Sequence, residues 1–415
     1  MTMTASPSLG KEQIFSIGKD YPVVKPGDVS SDEPVKNVVY MIGDGMGFSH
    51  IFTAWVANKG KLNLDGFPVA GMARTWCADK VITDSAAAGT ALACGSKTKK
   101  GMVGLSPSGE RLDSLIVHAA DMGKSTGMVV TCDVTDATPA SFFAHVPKRT
   151  MAWDIASFLP ASRIDFLVAG GLSKLQKRPD GRDILGEMKK EGYSIALDRA
   201  ELEASTGGRL CAILAPGHLA HPGERGDVMS KAVKKGLDVL ARNKKGFFMV
   251  VEGSKIDKAA HKNDLGLMME EIFDFDRTIG VVLQWASSHP GTLVVVTADH
   301  NTGGLTLLGG DKEKGEVICH FSSGEHNEAA APVFAFGAGA EKFTGIYENT
   351  DIQKKILEAM KHDSARKESR KKACHQKHLG EVGLEKQAVP LAQITGFFTA
   401  LYFRVDLFVE YCTIL

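Results

Sequence analysis

The chain has no excess of either charge: Lys plus Arg and Asp plus Glu both number 49 in 415 residues. Neutrality leaves no global basic field for nucleic acid and no acidic surplus of the kind that keeps a chain disordered. There is no C-x-x-C pair. The seven cysteines (77, 94, 132, 211, 319, 374 and 412) are scattered and odd in number. They suggest neither a zinc ribbon nor a disulfide framework and do not fix the redox compartment. No run of about 18 uncharged apolar residues is present to span a membrane. The opening MTMTASPSLGKEQ offers neither a basic n-region nor an apolar h-region, so no signal peptide is encoded in the sequence as given. An exported protein expressed without its leader would read the same way. Internal repeats and low-complexity blocks are absent too. What remains is 44% hydrophobic, enough for one large domain or two smaller ones, and function must come from local constellations.

Residues 1–35 are polar with Pro and Gly and read as an N-terminal extension lying on the surface. From Lys36 the grammar changes. Asn37–Ile42 is a short apolar run ending in Gly-Asp-Gly-Met-Gly, as a buried strand entering a loop would be. Runs of the same kind recur at 126–131, 164–168, 247–251, 293–297 and 332–336. Helical periodicity lies between several of them, at 227–241 and 267–283. Alternating strands and helices predict an α/β fold, three layers deep, with a central and mostly parallel sheet covered on both faces. Ligands of such sheets bind at the carboxyl ends of the strands.

The residues just after each strand are therefore the ones to inspect. Strand 37–42 delivers Asp44, and the 126–131 strand leads to Asp136-Ala137-Thr138-Pro139. Strand 247–251 delivers Glu252, then Asp257, Lys258 and His261; strand 293–297 delivers Asp299 and His300; His326 precedes the last strand. Singly each has a bland alternative. Asp44 could be a turn residue, and its glycines are wrongly spaced for a dinucleotide loop. Asp257 and His261, four apart, share a helix face as two ligands of one ion would, or simply a solvated face. Ser85, before the alanine-rich 86–92, is either an N-cap or a nucleophile whose phosphorylated form a helix N-terminus would favour. Together they say more. Five carboxylates and three histidines at strand ends are costly to cluster unless cations neutralise them. Imidazole with carboxylate suits Zn²⁺, an all-oxygen set suits Mg²⁺, and a serine beside two metals is equipment for phosphoryl transfer.

At this point the chain closely resembles the alkaline phosphatase family. The matching stretches are Met41–Phe48, Thr83–Gly95, Asp136 through Arg149, Glu252–His261, Thr297–Asn301 and Gly324–His326, in the family's order. The resemblance covers 36–362, the expected catalytic domain of a compact, bacterial-type member. It implies metal-dependent hydrolysis of phosphate monoesters at alkaline pH through a phosphoserine on Ser85. Two Zn²⁺ and one Mg²⁺ per chain are implied: Asp257, His261 and His326 for the first zinc; Asp44, Asp299 and His300 for the second, with Ser85 completing its shell. Magnesium would take Asp44, Asp136, Thr138 and Glu252. Arg149 would fork onto phosphate oxygens, with Lys258 nearby; other members carry histidine at the Asp136 position and tryptophan at Lys258. Asn327 departs from the threonine that many relatives have after the histidine. A homodimer and a periplasmic or secreted location follow from the resemblance alone. The rival readings are a phosphodiesterase or sulfatase of the same superfamily and a metal-stabilised binding protein without catalysis. Neither C-x-P-x-R nor S-x-P-x-R, the sulfatase motif, occurs. Residues 363–415 are expected to form a tail that is poorly ordered or foreign to the catalytic fold, the alternative being a dimerisation or surface-anchoring segment.

Overall fold

Burial on both faces explains why the strands of this chain read as continuous apolar runs rather than alternating ones. In Asn37–Gly43 every residue is buried. Val38, Tyr40 and Ile42 pack into the core on one side of the sheet, and Val39 and Met41 into the core on the other. Phe247–Gly253 and Thr292–Ala298 divide their side chains in the same way. Each such side chain removed from water contributes roughly 1.5–3 kcal/mol.

The computed structural model describes residues 11–361 apart from 28 and 31. In chain order the strands are β1 (Gln13–Ser16), β2 (Asn37–Gly43), β3 (Val69–Arg74), β4 (Ser125–Asp133), β5 (Phe166–Gly170), β6 (Tyr193–Ala196), β7 (Arg209–Ile213), β8 (Phe247–Gly253), β9 (Thr292–Ala298), β10 (Asn301–Thr302), β11 (Leu305–Asp311), β12 (Glu316–Phe321), β13 (His326–Asn327), β14 (Ala331–Gly337) and β15 (Gly345–Glu348). Ten of them form one sheet in the order β15-β3-β14-β9-β2-β8-β4-β5-β7-β6. Only β14 runs against its neighbours; every other pairing in the sheet is parallel. Helices Val228–Leu240 and Leu265–Ser287 cover one face, and helices Ser85–Cys94 and Leu115–Asp121 cover the other. This is the three-layer α/β/α arrangement expected from the sequence.

The central strand β2 has β9 on one side and β8 on the other, both later in sequence. The chain thus winds outward in two directions from β2, which opens a crevice at its carboxyl end. Register finishes the placement. Gly43 lies opposite Gly253 of β8 and Ala298 of β9, so Asp44, Glu252 and Asp299 emerge side by side.

Residues 11–35 are tied in more firmly than a polar extension suggests. β1 adds to β12 in a three-stranded sheet with β11, and the buried Tyr21 donates its hydroxyl to Asp276 at 2.8 Å. The run expected at 164–168 is set two residues later, as β5. Among the described residues no helix is long and apolar enough to cross a membrane, and the five cysteines there are free. The tail expected from 363 lies outside the described residues.

Candidate active site

Helix Ser85–Cys94 is built to come close to its neighbour. Its first turns are Ser-Ala-Ala-Ala-Gly, and a Cβ on Gly89 would sit 2.9 Å from Ser141 Oγ and 3.2 Å from Thr138 Cα. Small side chains therefore let this helix lie against the segment carrying Asp136 and Thr138. The N-cap is Asp84, whose carboxylate accepts from Ala87 N at 3.1 Å. Of the two roles open to Ser85, the cap is filled by Asp84, which satisfies the end of the helix, and the Ser85 hydroxyl is left to face the crevice. Ser85 Oγ lies 3.1 Å from His300 Nε2.

Three histidines, from three elements, point the same nitrogen inward. His261 Nδ1 donates to the Gly324 carbonyl at 2.6 Å, and His326 Nδ1 to the Thr83 carbonyl at 3.0 Å. Thr302 gives its hydroxyl proton to Asp257 Oδ1 at 2.5 Å, so it accepts from His300 Nδ1 at 3.2 Å. Each imidazole therefore carries a hydrogen on Nδ1, so that when the ring is neutral its Nε2 lone pair faces the centre, the arrangement second-shell partners give metal-ligating histidines. Thr302 fits only because Gly45 has no side chain: a Cβ there would meet Thr302 Oγ1 at 2.7 Å, and Gly45 adopts φ +72°.

The inward atoms form two groups. His326 Nε2 and His261 Nε2 are 3.0 Å apart, and Asp257 Oδ1 is 3.4 Å and 3.3 Å from them. Two lone pairs and a carboxylate at that separation repel one another unless a proton or a cation lies between them. Asp257 comes from the first turn of helix Lys255–His261, one turn from His261. The second group is Asp44, Asp299 and His300. His300 Nε2 is 3.0 Å from Asp299 Oδ2 and 3.5 Å from Asp44 Oδ1. His300 is also near enough to Asp257 and His326 to group with them, and its ring stacks on that of His326 at 3.6 Å.

The residues present fit divalent cations. Asp44 Oδ1, Asp299 Oδ2 and Thr138 Oγ1 are buried and lack protein hydrogen-bond partners. Burial, then the charges of Asp299, Asp257 and Glu252, push the Asp44 carboxyl well above the usual range. Burial pushes Glu252 to about 8. Acids held this way are relieved by a cation. On the other side of Asp44 the charges are already balanced. Lys258 Nζ lies 2.7 Å from Asp136 Oδ2, and Arg149 reaches Asp136 Oδ1 at 3.3 Å and Asp84 Oδ2 at 3.1 Å. Burial opposes ionisation of Asp136, yet Lys258 and Arg149 hold its carboxyl below the usual value.

A cavity of about 580 Å³ opens over these groups, lined by Ser85, Arg149, Asp257, His261 and His326, with Ile82, Lys100 and Glu325 also contributing to its walls. The structure thus brings Asp44, Ser85, Asp257, His261, Asp299, His300 and His326 to one place, with Arg149 beside Ser85. Asp136, Thr138, Glu252 and Lys258 stand at its flank. Sequence reading missed Asp84, Thr302, Lys100 and Glu325. Asp84 was legible as a capping residue before an alanine run; Thr302 carried no signal, because its role depends on the contact with Gly45.

The alkaline phosphatase family profile matches residues 35–320. Alkaline phosphatase 4 of Bacillus subtilis (strain 168) is 32% identical over 79% of this chain and 89% of the relative. The solved alkaline phosphatase of the Antarctic bacterium TAB5 is 34% identical, covers 79% of this chain and 98% of its own, and superposes with a TM-score of 0.75. A variant of that enzyme with aspartate in place of one histidine, 35% identical here with a TM-score of 0.74 and covering 79% of this chain and 99% of its own, holds Mg in its M3 site. Agreement over most of both chains, in a fold whose central strands end on this crevice, shows that the chain belongs to the alkaline phosphatase family and is a phosphate-monoester hydrolase.

Proposed function

We propose that Ser85 is the nucleophile and that hydrolysis runs through a phosphoserine at alkaline pH. The observation that carries this reading is the Ser85 hydroxyl itself. It stands at the start of a helix already capped by Asp84, 3.1 Å from His300 Nε2, with Arg149 held beside it. Asp257, His261 and His326 would hold one Zn²⁺; Asp44, Asp299 and His300 a second; Asp44, Asp136, Thr138 and Glu252 a Mg²⁺. Cations there supply Lewis-acid stabilisation of developing charge and lower the pKa of hydroxyls they touch. Ser85 Oγ attacks phosphorus in line with the leaving alkoxide, and the P–O ester bond breaks as the Ser85–O–P bond forms. Water then cleaves that bond and returns the serine. Arg149 presents its guanidinium plane to two equatorial oxygens, and the acids behind it fix that plane before substrate arrives. Lys258, kept charged by Asp136 despite burial, adds positive potential.

The magnesium assignment is supported by Asp136, since an oxygen ligand suits a hard cation, and by the neighbour whose aspartate variant holds Mg in its M3 site. Homodimerisation and a periplasmic or secreted location remain part of the proposal on resemblance. The test is acid quenching during turnover of a monoester followed by peptide mapping. Phosphate on the peptide containing Ser85 is expected, and Ser85→Ala should retain zinc while losing nearly all turnover. Label on another residue, or Ser85→Ala keeping more than a few per cent of kcat, refutes the assignment.

A further inference from the structure

Asn301 directly follows His300, and Asn327 directly follows His326. Strands β10 and β13 pair these residues antiparallel, with Asn301 opposite Asn327 and Thr302 opposite His326. Two residues make a weak ladder by themselves. Here a side-chain link runs along it: Asn301 Nδ2 donates to Asn327 Oδ1 at 3.0 Å, and the same oxygen accepts from Ala329 N, also at 3.0 Å. Asn301 is only 6% exposed and Asn327 is half-buried, so water competes for this amide bond from the Asn327 side only. The imidazole of His300, just before β10, stacks on that of His326 in β13 at 3.6 Å with an interplanar angle of 23°. A bond between the residues next to these histidines acts where a small slide of one strand would separate the rings.

We propose that the Asn301–Asn327 amide pair is a positioning clamp that fixes the spacing of His300 and His326, so that a cation bound at one histidine strengthens binding at the other. The clamp rests on the reading of both histidines as metal ligands. It also accounts for the asparagine at 327, whose carbonyl oxygen reaches the amide across the ladder. Neither asparagine touches substrate in this scheme; both act through the histidine beside them.

The test is a double-mutant cycle on the full chain: wild type, Asn301→Ala, Asn327→Ala and both together. Stepwise Zn²⁺ constants are read by chelator competition, and the visible spectrum of the Co²⁺-loaded protein is recorded. Each single variant should weaken the second stepwise constant by about tenfold, the scale of second-shell effects, and alter the Co²⁺ bands. The double variant should be no worse than either single. Asn327→Asp keeps the accepting oxygen for both donors and should restore the coupling. Additive losses, or unchanged stepwise constants with only a lower melting temperature, overturn the clamp and leave the amides a purely folding role. If His300→Ala and His326→Ala keep full zinc stoichiometry, the metal-ligand reading fails, and the clamp with it.

Discussion

Zinc uptake at the first site should release a proton from His261. In the metal-free protein the bond from Asp257 raises this imidazole to about 9. An unfolded histidine titrates near ~6.5. The folded value is thus raised, so the protonated pair stabilises the metal-free fold fully below about 6.5 and ceases to do so as pH rises through about 9. A cation has to displace that proton. At pH 7, two units below 9, the displacement costs roughly 3 kcal/mol at about 1.4 per unit. The His261 side chain is 35% exposed, and solvent screening reduces the figure to roughly 1–2 kcal/mol. Zinc should therefore bind the first site about five- to thirtyfold more weakly at pH 7 than at pH 9, and the affinity should level off above that. Calorimetry in two buffers of different ionisation enthalpy measures the proton count directly. His261→Gln, which has no titrating ring, isolates the contribution. If wild type and His261→Gln release the same number of protons per zinc across pH 6.5–9, the coupling drawn from the Asp257–His261 contact is wrong.

Magnesium binding should follow Glu252, whose buried carboxyl is held at about 8. Its Mg²⁺ affinity should fall roughly tenfold per unit as pH drops below that value, and a flat profile in a magnesium titration would contradict it. Asp136→His should raise the zinc bound per chain and make activity depend on added Mg²⁺; metal analysis showing no change would remove Asp136 from the third site. Gly89→Val should destabilise by about 1–3 kcal/mol through overpacking against Thr138 and Ser141, and a melting temperature equal to wild type would show that the two segments separate without cost.

The fold was legible because β2, β8 and β9 are buried on both sides and carry no polar interruption to hide them. Part of the candidate site was legible for a related reason: Asp44, Asp299 and His300 come directly after β2 and β9, and Glu252 ends the apolar run of β8, where an acid has no structural excuse. The edge of the sheet was harder. Val69–Arg74 and Gly345–Glu348 are half exposed, so their composition does not separate them from loops, and their strand character is supplied by pairing with each other. Thr302 and the Asn301–Asn327 pair could not be read at all. Their meaning lies in what faces them across a fold that brings positions 45, 257, 302 and 327 together.

The position of β2 has a consequence for how the protein is made. Tyr40 pairs with Val250 and Val295, more than two hundred residues further along the chain. A strand apolar on both sides emerges early in synthesis and waits for both neighbours, a topology of high contact order that slows folding and leaves sticky surface uncovered meanwhile. The proposed catalytic centre shares this fate, since its acids and histidines run from Asp44 to His326. A nascent fragment that stops short of β13 lacks His326 and so cannot complete both proposed ligand sets.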